Sequence, residues 1–325
     1  MSSLQRLGVA LLATVVACAQ EPEAADPVEV TVPRGATLTS TARLLAEHGA
    51  VPSADLFRFY AKVSGRERSI QAGTYAIPAE ASVREVLDLL GRGRPPERRV
   101  VVPEGLTLRE TAAEIERVMG IATERFLAAG RDSVLRSRLD VPAETLEGYL
   151  YPSTYRVRAD ASPNEIVRQM VREFEARWQP AWTVRLDALD MTRHEIVTLA
   201  SIIEGEVRYG PDRPYVASVY HNRLRRGMRL QADPTVRYAL GERRRLFERD
   251  YLTPSPYNTY LIDGLPPGPI GSPSTASLEA ALFPANTNFL YFVARPDGRH
   301  VFSRTYAEHR RAVAEVRRSE RAREP

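Results

Sequence analysis

The chain has 325 residues, 43% of them hydrophobic and 26% charged, which is the balance of an ordinary globular protein with room for two domains. That composition excludes collagenous, disordered and polytopic membrane classes. The charge is only +4, from 45 basic against 41 acidic residues, and all but Lys62 of the basic ones are arginine, so neither a polyanionic partner nor nucleic acid is indicated.

The first 27 residues read as an address. Arg6 precedes an apolar core, Leu7 to Ala17, whose 11 residues are about half of the ~20 needed to span a bilayer. The core ends at "VVAC", where small Ala17 precedes Cys18, the only cysteine of the chain. This is similar to a lipobox, in which Cys18 is lipidated and anchors the chain; "AQEPEAADP" would then be a polar tether. An ordinary cleaved signal and a short uncleaved anchor starting near Leu4 are the alternatives. Each puts the body of the protein outside the cytoplasm, attached to a membrane in two of the three. A lone cysteine also excludes a disulfide framework and a cysteine metal site.

Residues 28–97 read as a small α+β module. "VEVTVP" alternates as a strand, "TLTSTARLLAEHGA" follows as a helix with Thr39 or Ser40 near its cap and Gly49 as its stop, and "SADLFRFYAKVSG" places Leu56, Phe57 and Tyr60 at helical spacing. "IQAGTYAIP" is a strand, and "SVREVLDLLGRG" a short helix closed by Gly91. The β-α-α-β order resembles a LysM-like module, a type that binds N-acetylglucosamine-containing glycans; a plain structural spacer is the bland reading. "RGRPPERR" then breaks the pattern. "VVVPEGLTL" echoes "VTVPRGATL" in register. Residues 98–325 read as a larger, mainly helical domain with edge strands. Helices are expected at 107–119, 123–129, 163–178, 192–208, 212–226 and 305–322, with a strand pair in "FLYFVARPDGRHVFS" turned by Pro296-Asp297-Gly298.

Several chemistries fail on spacing. His194-Glu195 begins like a zinc protease motif, but the second histidine would fall at Thr198. No G-x-S-x-G is present, and "GPIGSPS" reads as a rigid turn. No metal or cofactor is expected. "VTLASIIEGEVRYG" is more informative: on a helical wheel, Glu204 and Glu206 flank the stripe of Ile196, Leu199, Ala200, Ile203 and Val207, and periodicity does not choose between them. Beside Val197, Ala200 and Ser201, Glu204 would have a raised pKa suited to a general acid. An exposed, salt-bridged carboxylate is the competing reading. Three segments rich in polar groups and aromatic rings, "LEGYLYPSTY", "RLQADPTVRYAL" and "SPYNTYLIDGLPPGPIGSPS", suit a sugar, with prolines preorganising the loops.

Taken in order, "LEGYLYPSTY", "LASIIEGEV", "VYHNRLRRGMRLQADPTVRYAL" and "SPYNTYLIDGLPPGPIGSPS" resemble the endolytic murein transglycosylase, or YceG-like, family over most of residues 100–310. The resemblance implies cleavage of the β-1,4 bond between N-acetylmuramic acid and N-acetylglucosamine in nascent peptidoglycan strands, leaving a 1,6-anhydro-muramyl end and limiting strand length. It implies that Glu204 is the catalytic acid and that Gln231, Asp233, Tyr257 and Asn258 line the glycan cleft. Glu147 and Tyr151 fall near it, and Ser201, Glu206 and Thr235 complete the expected binding set. The sugar's own 6-hydroxyl attacks the anomeric carbon, so one glutamate suffices where a hydrolase uses two carboxylates. Two departures stand out. Ser153 replaces the family's usual Asp, and a lipobox-like sequence replaces the usual transmembrane anchor. Peptidoglycan synthases are possible partners. The competing readings are a non-catalytic cell-wall glycan-binding or scaffold protein, and a cytosolic lyase on chorismate-derived substrates, which the N-terminal address opposes.

Overall fold

The computed structural model describes residues 26–92 and 97–321, which form two compact units on either side of residues 93–96. The segment with Cys18 and most of the expected tether lie outside the described residues. Among the described residues, no helix is long and apolar enough to cross a membrane.

The first unit runs β1 (Val28–Val32), α1 (Leu38–Glu47), α2 (Ala54–Val63), β2 (Gly73–Ile77) and α3 (Val83–Arg92). β1 and β2 pair antiparallel with Val30 opposite Tyr75, and Val30, Val32, Tyr75 and Ile77 turn their side chains onto Leu45, Phe57, Leu87 and Leu90 of the helices. α1 is capped by Thr37, whose hydroxyl accepts from the Ser40 amide, two or three residues earlier than the expected Thr39 or Ser40. Gly91 does not close α3, which continues to Arg92. On α2, Phe57 is buried but Leu56 points to solvent, because the core takes the Phe57–Ala61 line instead.

The second unit begins with β3 (Glu97–Val102), so Glu97 belongs here and not to the first unit. It continues with α4 (Leu108–Met119), α5 (Thr123–Ala129), α6 (Ser133–Arg138), β4 (Ser153–Arg158), α7 (Pro163–Arg177), α8 (Pro180–Leu189) and α9 (Arg193–Glu206). A 3-10 turn, Gly210–Asp212, leads into α10 (Arg213–Arg225); then come α11 (Asp233–Leu240), α12 (Thr275–Leu282), β5 (Tyr291–Ala294), β6 (His300–Ser303) and α13 (Tyr306–Arg321). β3 pairs antiparallel with β4, and β5 with β6, giving an α+β architecture of many helices and short two-stranded sheets. The echo between the units is structural: Gly35 and Gly105 both take left-handed φ, at +77° and +72°, and Thr37 and Thr107 both cap the helix that follows. A strand ending in Val-Pro, a glycine turn and a threonine cap is one supersecondary unit used twice.

α9 is the central helix. His194 and every residue from Ile196 to Ile203 are buried, so the helix is enclosed on all sides by α10, α11 and α12 instead of presenting a single apolar stripe. Its entry is fixed by a capping box, Thr192 with Glu195.

Candidate active site

Glu204 stands in the last turn of α9, where the enclosure opens. The side chain is 8% exposed and all its partners are donors: the Ser274 amide reaches Oε2 at 2.9 Å, the Ser274 hydroxyl bonds the same oxygen, and Arg213 Nη2 lies 3.4 Å from Oε1. The expected apolar wall is thus replaced by a ring of donors. Ser274 caps α12 and comes from the "GPIGSPS" turn; Arg213 opens α10 and is pinned by its Nε to the Ser277 hydroxyl at 3.1 Å. Neither Arg213 nor Ser274 is singled out by sequence; the rigid-turn reading of "GPIGSPS" missed that the turn aims a hydroxyl and an amide at Glu204.

Glycines let the surrounding segments close in. At Gly105, next to the Glu204 Cγ, a Cβ would sit 3.6 Å away, and the Gly105 amide donates to the Ser272 carbonyl at 2.7 Å while the Ser272 amide returns to Leu106 at 2.9 Å. A Cβ on Gly205 would lie 2.7 Å from Pro234 Cβ, and one on Gly148 would lie 2.4 Å from Pro269 Cβ, with Gly148 also at φ +81°. Proline rings cannot yield, so these contacts press the quoted motifs against one another. His194, off the expected metal pattern, is a strut: its Nε2 bonds the Pro267 carbonyl and its Nδ1 the Tyr149 hydroxyl, both at 3.0 Å. Arg243 clamps the Gly105 loop through the Gly105 carbonyl at 2.7 Å and Glu110. No group of three or more metal-ligating side chains occurs among the described residues.

The remaining expected residues differ in burial and in what their side chains bond. Gln231 is exposed at a left-handed φ of +48°, its side chain without a hydrogen bond among the described residues, and Tyr257 is half-buried with its ring centroid 4.7 Å from that of Tyr238. These two present free surface. Tyr151 is nearly buried and bonds Thr275 Oγ1 at 2.6 Å, one residue beyond Ser274. Ser201, Thr235 and Asn258 are buried with their bonds made internally. Ser201 takes the Ile270 amide at 3.0 Å, Thr235 meets Thr259 Oγ1 at 2.9 Å, and Asn258 donates to the carbonyls of Tyr251 and Thr253 while accepting from the Tyr260 amide. They shape the loops from inside. Asn258→Ala would leave two carbonyls and an amide unpaired in a closed loop, so it should cost about 1–3 kcal/mol and lower the thermal midpoint; an unchanged midpoint would show that the loop closes without it.

Asp233 accepts from the Tyr260 hydroxyl at 2.8 Å and from Tyr251 at 3.5 Å, and starts α11 instead of lying in a loop. Glu206 bonds the Tyr220 hydroxyl at 3.0 Å; burial, and next the Asp233 charge, push its carboxyl up to about 7. Burial also raises Glu147 to about 7, against the Leu108 amide at 2.9 Å and the Tyr238 hydroxyl at 3.3 Å. Glu147 is buried and Glu206 half-buried, and each bonds a tyrosine hydroxyl that ties segments together, whereas Glu204, beside Gly105, is the one of the three held by an arginine and a serine.

The model of the YceG-like family matches residues 30–315. An endolytic murein transglycosylase of Bacillus subtilis is 31% identical over 309 residues, 90% of this chain and 85% of that protein. One from Streptococcus pneumoniae is 29% identical, with 89% of this chain covered but only 58% of the relative's own length. A solved YceG-like protein from Listeria monocytogenes shares the fold at a TM-score of 0.62 and 32% identity, over 88% of this chain and 99% of that one. With the family's pattern running through both units and a relative this similar along nearly its whole length, the chain belongs to the YceG-like family.

Proposed function

We propose that the protein is an endolytic lytic transglycosylase, cutting the β-1,4 bond between N-acetylmuramic acid and N-acetylglucosamine inside peptidoglycan strands. The observation that carries this is Glu204, a single carboxyl held by Ser274 and Arg213 where the four family motifs meet. In the reaction, the Glu204 carboxyl gives its proton to the glycosidic oxygen as the C–O bond breaks. The muramyl 6-hydroxyl then forms its bond to C1 and returns its proton to Glu204. No water is consumed, and the acid is restored. The Ser274 hydroxyl can donate to the carboxylate or accept from the acid, which suits a group that changes protonation twice. Arg213 favours the carboxylate formed midway. Gln231 and Tyr257 supply an amide and a ring face for the sugar.

The first unit, with two helices between antiparallel strands, supports a LysM-like role in holding N-acetylglucosamine-containing glycan. The apolar segment and Cys18 support attachment of the N-terminus to a membrane, the catalytic unit lying outside the cytoplasm. Mass spectrometry of products from purified peptidoglycan tests the activity: each new muramyl end should be lighter by one water than a hydrolytic end. Hydrolytic ends, or binding without cleavage, would refute it, the latter in favour of a scaffold.

A further inference from the structure

Resting on the murein reading above, we propose that a cleft between α8, the start of α10 and α12 is a second arm of the active site, which receives the short peptide carried by the muramyl sugar. The cleft has a volume of about 480 Å³ and is lined by Gln179, Trp182, Arg213, Ala276, Glu279 and Phe283 among others; clefts of this size, ~300–1,000 Å³, hold small ligands. Arg213 joins it to the catalytic centre. Its guanidinium has five N–H donors; Nε goes to Ser277 and Nη2 to Glu204, while Nη1 has no hydrogen-bond partner among the described residues. That nitrogen abuts Gly210 on the cleft wall, where a Cβ would come within 3.1 Å of it. One residue thus faces Glu204 on one side and the cleft on the other.

The chemistry of the lining selects the occupant. The lining holds a cation, Arg213, an exposed acid, Glu279, and an amide, Gln179. Trp182, Ala276 and the half-exposed Phe283 add apolar wall, which matches small side chains better than a hydroxyl-rich sugar face. The muramyl ring whose C1–O bond is cleaved also bears a lactyl ether amide-linked to a peptide with small residues, carboxylates near its attachment and an amino group further out. Carboxylate toward Arg213 and ammonium toward Glu279 is the complementary placement. Binding energy from this remote group would be used in turnover, so strands lacking the peptide should lose kcat as well as affinity.

The test compares kcat/KM of the full chain on peptide-bearing strands and on the same strands stripped by an amidase, for the wild type, for Ala181→Trp, which fills the cleft from the exposed first turn of α8, and for Glu279→Lys as a second variant. The wild type should prefer peptide-bearing strands by about tenfold or more, and each variant should bring that ratio toward one. A wild-type ratio of one, or a ratio that both variants leave unchanged, overturns the proposal. A binding arm separates this from the catalytic reading: Glu204→Gln protein is titrated with N-acetylmuramyl-dipeptide and with N-acetylmuramic acid, following tryptophan emission. Tighter binding and an emission shift for the dipeptide alone support the cleft even if no strand is cleaved; equal responses overturn it even if strands are cleaved.

Discussion

Glu204→Gln should abolish the release of anhydro-muramyl ends, lowering kcat by at least the ~10²–10⁴-fold that general acid–base catalysis contributes. The same carboxyl serves as acid and then as base, so both half-steps lose their proton carrier. The substitution keeps size and shape. The amide oxygen can still take the Ser274 amide now bonded at 2.9 Å, while the new NH₂ faces Arg213 Nη2 across 3.4 Å, donor to donor. That mismatch is the main structural cost and should amount to about 1.5–3 kcal/mol, the worth of a hydrogen bond to a charged group. A folded protein with a modestly lowered thermal midpoint and no anhydro product is the expected pair of results. Glu147→Gln and Glu206→Gln, which replace carboxyls bonded to tyrosine hydroxyls, should retain product of the same chemistry. Undiminished product from Glu204→Gln, or its loss from Glu147→Gln alone, would move the acid to another residue.

Helix positions in the second unit were legible where caps and periodicity coincide: α4 with its Thr107–Glu110 box, α7 with Ser162–Glu165 and α9 with Thr192–Glu195 carry their start signals in the sequence. α8, α11 and α12 were not. Pro234 read as part of a loop, but it and Pro180 sit in the first helical turn, where a missing N–H costs nothing. α12 is short, Ala-rich and buried, so no amphipathic stripe marks it. For the same reason the wheel failed on α9: a helix enclosed all round has no face to read. The motifs around Glu204 were visible as segments, but their convergence depends on close approaches at Gly105, Gly148 and Gly205. Which glycine meets which proline is a property of tertiary packing. Arg213 was hidden for a related reason, since one arginine among many becomes distinctive only when its neighbours are Glu204 and Ser277.

Glu206 should make the native state less stable as pH rises toward neutrality, and Glu206→Gln should remove that part of the dependence. The carboxyl is enclosed by Tyr220 from α10, by Asp233 and Arg237 from α11, and by Tyr260 from the loop before α12. Burial and the Asp233 charge raise it to about 7 from the usual 4.5, and Arg237 and the Tyr220 hydrogen bond offset only part of this. For an acid whose native value is raised, the folded protein holds a proton that the unfolded chain has released throughout the window between the two values. Stability therefore falls as pH rises from about 4.5 to about 7, by ~1.4 kcal/mol per unit, and levels off above it, a total of about 3 kcal/mol. Glutamine keeps the contact with the Tyr220 hydroxyl and cannot ionise. Denaturant midpoints measured from pH 5 to pH 8 should show the variant gaining on the wild type by most of that amount, and Glu147→Gln should show a comparable gain from its own carboxyl. Parallel curves for wild type and Glu206→Gln would mean that Glu206 is already ionised in the folded protein. In that case Tyr220 and Arg237 would outweigh burial, and the end of α9 would carry a fixed negative charge two residues from Glu204.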